Sequence, residues 1–115
     1  IEDALRRAEA YSKAGVDAIL IHSKSKTPNE IFDFARKFIK SKYYKPLVCV
    51  PSTYSSTHES ELIKHGFKIV IYANQLLRSA FPAMLKTAKK ILIDKRSSFA
   101  EKNISEINEI LNLIK

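Results

Sequence analysis

Three short apolar runs divide the chain, and segments with a helical spacing of apolar residues lie between them. The runs are AILI, LVCV and IVIYA. Runs without polar alternation are typical of parallel strands that are covered on both faces. The pattern predicts the order α-β-α-β-α-β-α-α, with parallel strands at about 17–22, 47–50 and 68–73 joined by right-handed crossovers.

Capping residues indicate where the helices begin and end. Two predicted capping boxes are Thr27 with Glu30 and Ser56 with Glu59. Gly15 and Gly66 suit the left-handed position that follows a helix. A long amphipathic helix is predicted over about 76–93 and a last one over 104–114.

The predicted architecture is α/β, either a doubly wound sheet or a (βα) barrel. Three parallel strands would leave two apolar edges unpaired, which favours aggregation. The apolar face of helix 76–93 is also broader than so small a sheet can cover. The chain starts with Ile rather than Met. We therefore expect it to be part of a larger barrel or sheet.

Composition narrows the class of protein. The 115 residues are 45% hydrophobic and 28% charged, which is typical of one small, soluble, globular domain. No apolar run reaches the ~20 residues that span a bilayer, so no membrane partner is expected. The net charge of +8 comes from lysines that are spread along the chain, which argues against nucleic-acid binding. Cys49 is the single cysteine, so a reducing, cytoplasmic setting is expected.

Polar residues follow each predicted strand, and in α/β folds ligands bind at these carboxyl ends. The strand ends are His22-Ser23-Lys24, Pro51-Ser52-Thr53-Tyr54 and Tyr72-Ala73-Asn74-Gln75. His22 suits a hydrogen-bond donor or proton carrier facing an anionic substrate. A histidine that only bonds to the next loop fits the spacing equally well. Ser23 suits phosphate or carboxylate binding, or a loop role.

Other kinds of site lack support. Two glycines leave no glycine-rich phosphate loop, and no zinc spacing or Ser/His/Asp set is present. Carboxylates are absent from all three strand ends. Because Mg²⁺ prefers carboxylate oxygens, this chain alone is not expected to supply metal ligands there.

The segments together resemble the phosphoenolpyruvate mutase family of the isocitrate lyase superfamily. The matching blocks are ALRRAEAYSKAGVDAILIHSK, PLVCVPSTYSST and GFKIVIYANQLLRSAFPAMLKTAKKIL, followed by the tail KNISEINEILNLI. The resemblance covers nearly the whole chain. One departure is Tyr72 and Gln75, where the family commonly has Trp or another aromatic and His.

The resemblance implies a partial (βα)8 TIM-type barrel. Residues 1–94 would be the C-terminal half, with the last three strands, and 95–115 a closing loop and C-terminal helix. It implies an isomerase of phosphonate biosynthesis that interconverts phosphoenolpyruvate and phosphonopyruvate, present here as an inactive fragment. Mg²⁺ would be held by the missing N-terminal half. His22 would be catalytic and, with Ser23, substrate-binding, and a homo-oligomer would exchange helix 76–93.

Two alternatives stay open. The complete protein could be a phosphonopyruvate hydrolase or another 2-oxo or 2-hydroxy acid lyase of the same superfamily. The chain could instead be a half-barrel that assembles with a partner without catalysis.

Overall fold

A computed structural model describes residues 1–114 and confirms a mixed α/β fold with one parallel sheet. The α/β order holds through the first part of the chain, and helices alone follow the third strand. The elements are α1 Glu2–Lys13, β1 Ile19–Ile21, α2 Asn29–Phe38, β2 Leu47–Cys49, α3 Glu59–Lys64, β3 Phe67–Val70, α4 Gln75–Asp94, α5 Ser98–Glu101 and α6 Ile107–Asn112.

The sheet has the strand order β1-β2-β3, and both pairs are parallel. Three rungs cross it: Ile19-Leu47-Phe67, Leu20-Val48-Ile69 and Ile21-Cys49-Val70. The strands end earlier than predicted, and Pro51, shortly after β2, has no N–H with which to extend the central ladder. The last bond from the third strand is donated by the Ile71 N–H to the Cys49 carbonyl, over 2.9 Å.

A bulge in β3 sets the direction of its side chains. Leu47 pairs with Phe67, and Val48 pairs with Ile69, so Lys68 has no partner in β2. The extra residue lets both Phe67 and Val70 lie on the same face of the sheet as their β2 partners. The sequence pattern contained no sign of this bulge.

The two faces of the sheet have different surroundings. Helices pack on the face that carries Ile19, Leu47 and Phe67, which we call the covered face. The opposite, open face carries Leu20, Val48 and Ile69. Leu20 and Ile69 are 53% and 49% exposed, whereas Val48, in the central strand between them, is buried. The expectation that both faces would be covered is therefore not met within residues 1–114.

The core lies between the covered face and the helices of the first part of the chain. Its largest fully buried side chains are Tyr54, Phe34, Phe38, Phe67, Ile31, Leu47 and Leu62. The phenyl rings of Phe34 and Phe38, one turn apart on α2, stack with their centroids 5.4 Å apart. Burial of several side chains of this size supplies the main stabilising free energy of such a domain.

Both predicted capping boxes are wrong in detail. α2 begins after Pro28, without a side-chain capping bond, and Glu30 bonds to the preceding loop instead. α3 begins after His58, whose Nδ1 accepts the Ser60 N–H over 3.2 Å. Glu59 accepts a hydrogen bond from Tyr72. In each helix the glutamate bonds to a different segment in place of the expected local cap.

The helix ends at both glycines follow the prediction. Gly15 and Gly66 have φ angles of 98° and 89°, in the region that glycine adopts without a Cβ clash. A Cβ on Gly66 would lie 2.4 Å from Ile39 Cδ1, whereas one on Gly15 would meet open space.

The chain divides into two compact units, residues 1–73 and 74–115. In the second unit α4 matches its prediction to one residue at each end. The last helix, Ile107–Asn112, is shorter than predicted, and α5 lies in the segment that the resemblance assigned to a closing loop. The predicted division near residue 94 separates residues expected to belong to the barrel from the closing loop and helix. It does not describe compact units, and it stays a prediction.

Helix α4 carries many exposed apolar side chains. They include Leu76, Leu77, Phe81, Met84, Leu92 and Ile93. Among the helices of residues 1–114, none combines the length and apolar character that crossing a bilayer requires.

Candidate functional site

His22 directly follows the last paired residue of β1. Because strand side chains alternate between faces, its position falls on the open face with Leu20. The side chain is exposed. Within residues 1–114, we find no hydrogen bond to its ring, so the bond to the next loop that sequence reasoning left open is not formed. The imidazole therefore stays available to a ligand.

Ser23, the next residue, is only 6% exposed and bonds to three segments. Its hydroxyl donates to the Glu30 carboxylate and accepts the Ser25 N–H over 2.9 Å. Its carbonyl accepts the Thr53 hydroxyl over 2.7 Å. The two residues predicted to bind substrate thus have different surroundings, since the Ser23 hydroxyl is committed within the protein.

A small cleft opens at this strand end. It lies between the start of α1 and the first turns of α2, and His22, Ser23 and Glu30 all border it. The remaining lining is mostly apolar: Ile1, Ala4, Ile21, Ile31 and Phe34. Glu30 is the member of this group that sequence reasoning missed, because its spacing from Thr27 suggested a cap.

The second and third strand ends supply mainly structural groups. Tyr54 is fully buried in the core, and burial raises the pKa of its hydroxyl to about 12. Tyr72 donates to Glu59 over 2.6 Å, and this hydrogen bond raises the pKa of Tyr72. Neither tyrosine is poised to give up a proton near neutral pH.

The other candidate groups have local roles. His58 caps α3, and His65 stacks on Phe32 with ring centroids 3.6 Å apart and planes 2° apart. Cys49 is buried on the covered face, and burial raises the pKa of its thiol to about 11, which disfavours the reactive thiolate. Among the imidazoles of residues 1–114, His22 is thus the one for which we find neither a hydrogen bond nor ring stacking.

The donor set around His22 does not suit Mg²⁺. Hard cations prefer several carboxylate or carbonyl oxygens. Glu30, the nearby carboxylate, already accepts the Ser23 hydroxyl. Across the part of the chain that the structure describes, no three His, Cys, Asp or Glu side chains lie where they could share a metal ion. These residues alone do not form a magnesium site.

The fold and this strand-end site are those of part of a (βα) barrel, and comparisons with known proteins agree. The family model described as phosphoenolpyruvate phosphomutase matches residues 1–92. The phosphoenolpyruvate phosphomutase of Tetrahymena pyriformis is 37% identical over 113 residues, which are 98% of this chain and 37% of that protein.

Two solved structures are also similar. The phosphoenolpyruvate phosphomutase of Streptomyces platensis subsp. rosaceus is 39% identical with a TM-score of 0.85, over 97% of this chain and 38% of that one. A phosphonopyruvate hydrolase in complex with oxalate and Mg²⁺ is 35% identical with a TM-score of 0.83, over 97% and 39%.

The chain belongs to the phosphoenolpyruvate phosphomutase family. It spans a little over a third of the length of these relatives. The fold expected from the resemblance, part of a TIM barrel, is confirmed.

Proposed function

We propose that these residues form the phosphoryl-facing part of a phosphoenolpyruvate mutase active site. The natural polypeptide that contains them would interconvert phosphoenolpyruvate and phosphonopyruvate as an isomerase of phosphonate biosynthesis. The observation that carries the proposal is the free, exposed His22 at the carboxyl end of β1, in a chain 37% identical to the Tetrahymena pyriformis phosphomutase.

His22 would donate a hydrogen bond to the transferring phosphoryl group. A phosphoryl group in transfer passes through a loose state whose charge is spread over its equatorial oxygens. Such a state is stabilised by fixed donors more than by covalent chemistry. Imidazole is a suitable donor because it can carry a proton near neutral pH.

Ser23 would bind substrate through its main chain rather than its side chain. The buried hydroxyl already makes two hydrogen bonds, one with Glu30 and one with the Ser25 N–H. A substrate contact from that hydroxyl would break one of these bonds, and a buried polar group left unpaired costs about 1–3 kcal/mol.

Mg²⁺ would be held by groups outside these residues. The related phosphonopyruvate hydrolase was solved with oxalate and Mg²⁺, which supports a magnesium requirement in the family. The chemistry of Mg²⁺ would be to hold the pyruvyl part of the substrate, while His22 would contact the phosphoryl group.

A phosphonopyruvate hydrolase is the second candidate function. The hydrolase and phosphomutase structures match this chain at 35% and 39% identity, with nearly equal TM-scores. This similarity does not favour one reaction strongly. Another lyase of the superfamily is a weaker candidate, because neither of these solved relatives is named as one.

The third candidate is a half-barrel that assembles without catalysis. It rests on the exposed side chains of the open face. Exposed apolar side chains on α4 support a homo-oligomer that exchanges helix 76–93.

A cytoplasmic location agrees with Cys49, a buried free thiol.

The product formed from phosphonopyruvate separates these candidates. The natural polypeptide is incubated with phosphonopyruvate and Mg²⁺, and the phosphorus species are followed by ³¹P NMR. We expect the phosphonate signal to be replaced by that of phosphoenolpyruvate, and EDTA to stop the conversion. Inorganic phosphate as the direct product would establish the hydrolase instead. No turnover, with folding verified by circular dichroism, would support the assembly module and reject both enzymes.

A further inference from the structure

We infer that Glu30 is a positioning residue that holds His22 in place through the hydroxyl of Ser23. The inference deepens the proposed function and rests on it, because the contact between His22 and substrate is part of that proposal. Glu30 itself would not touch the substrate.

The segment that carries His22 is fixed on both sides. On one side, Ile21 pairs with Cys49 in the last rung of the sheet. On the other side, Ser23 bonds to Glu30 and to Thr53. His22 is the one residue between these two anchors, so its main chain has little freedom to turn.

Glu30 makes the second anchor strong. It lies in the first turn of α2, where a helix N-terminus stabilises a negative charge. A hydrogen bond from a hydroxyl to a carboxylate is about twice as strong as one between neutral groups. Since Ser23 is buried, loss of this acceptor would leave the hydroxyl proton of Ser23 without an acceptor, and the segment would rearrange to supply one.

The loop beyond Ser23 extends the anchor. Ser25 donates its N–H to the Ser23 hydroxyl over 2.9 Å, and its own hydroxyl lies 3.2 Å from that of Thr27. Thr27 donates its N–H to the Ser25 hydroxyl over 3.2 Å. These bonds join β1 to α2 by a short ordered path.

Three substitutions test the inference. Glu30→Ala removes the acceptor, whereas Glu30→Gln retains a neutral acceptor of nearly the same shape. Glu61→Ala is the matched control because Glu61 is also an exposed first-turn glutamate, in α3, and its carboxylate makes no hydrogen bond within residues 1–114. Each variant is made in the natural polypeptide that contains this chain.

Kinetics give the first readout. A displacement of about 1 Å at a catalytic group can cost on the order of 100-fold in rate, so we expect Glu30→Ala to lower kcat by about 10- to 100-fold. KM should change much less, and the loss should persist at temperatures where the variant is fully folded. Glu30→Gln should recover most of kcat, and Glu61→Ala should match the unchanged protein.

The mobility of the His22 backbone amide, measured by NMR, gives a second readout that does not depend on turnover. In ¹⁵N relaxation measurements, the His22 amide should become more mobile in Glu30→Ala than in Glu61→Ala. Equal mobility in the two variants, or equal kcat, would overturn the inference. The His22→Ala variant separates the two proposals. If His22→Ala keeps its kcat, the proposed function fails. If His22→Ala loses kcat but Glu30→Ala does not, only the role of Glu30 is rejected.

Discussion

The two faces of the small parallel sheet carry similar residues but have different surroundings. The covered face buries Ile19, Leu47 and Phe67 against helices, whereas the open face exposes Leu20 and Ile69. Both sets are large and apolar, so hydrophobicity alone does not distinguish them. Because side chains alternate between the two faces along each strand, one set packs into the core of this chain and the other is exposed.

The difference also separates the two predicted site residues. The covered face continues past the strand end into Ser23, which is buried and bonded on several sides. The open face continues into His22, which is exposed. Ser23, which holds the strand end, and His22, which we propose contacts the substrate, are therefore neighbours in sequence, one buried and the other exposed.

The largest expected effect is on the free energy of unfolding of the 115-residue chain. Leu47→Ala removes a fully buried side chain from the covered face and should cost about 2–5 kcal/mol. Leu20→Ala is the matched control, since the same change on the open face removes a half-exposed side chain and should cost less than about 1 kcal/mol. Urea unfolding followed by circular dichroism measures both.

Equal costs for the two leucines would contradict the distinction between the faces. Measuring the unfolding free energies of the same two variants in the natural polypeptide that contains this chain would sharpen the comparison of the two faces. If further barrel strands cover the open face there, Leu20→Ala should become as costly as Leu47→Ala.

A smaller effect is expected at the two left-handed glycines. Alanine at either position adopts an unfavourable φ, which costs about 1–2 kcal/mol. Gly66→Ala should cost more than Gly15→Ala, because only its Cβ would press on Ile39, against the end of α2. Thermal unfolding of both variants compares them. An equal loss would show that Ile39 moves aside freely and that the packing between α2 and the start of β3 is loose.

Much of the fold could be predicted from the sequence. The three apolar runs mark the strands, and Gly15 and Gly66 mark helix ends, because each pattern has one dominant local cause. The bulge at Lys68 could not be predicted, because it arises from register between strands. The coverage of the faces could not either, since an apolar run is the same whether its second face meets helices or solvent.

The candidate site was only partly accessible to sequence reasoning. His22 could be found because a polar residue ends an apolar strand. Glu30 was assigned to a cap because its spacing from Thr27 fits one, and spacing does not show that Ser23, seven residues earlier, folds back to it. The resemblance to the phosphoenolpyruvate mutase family suggested His22 and Ser23 together, and the structure gives them different surroundings.

The most direct test of this account is turnover of phosphonopyruvate by the His22→Ala variant of the natural polypeptide. Removing one fixed donor to a developing charge costs on the order of 100- to 1000-fold in kcat, and we predict a loss of this size. The free energy of unfolding should stay within about 0.5 kcal/mol, because His22 is exposed. His58→Ala, at the exposed cap of α3, serves as the control and should keep its kcat. Unchanged turnover in His22→Ala would contradict the assignment of His22 to the phosphoryl group.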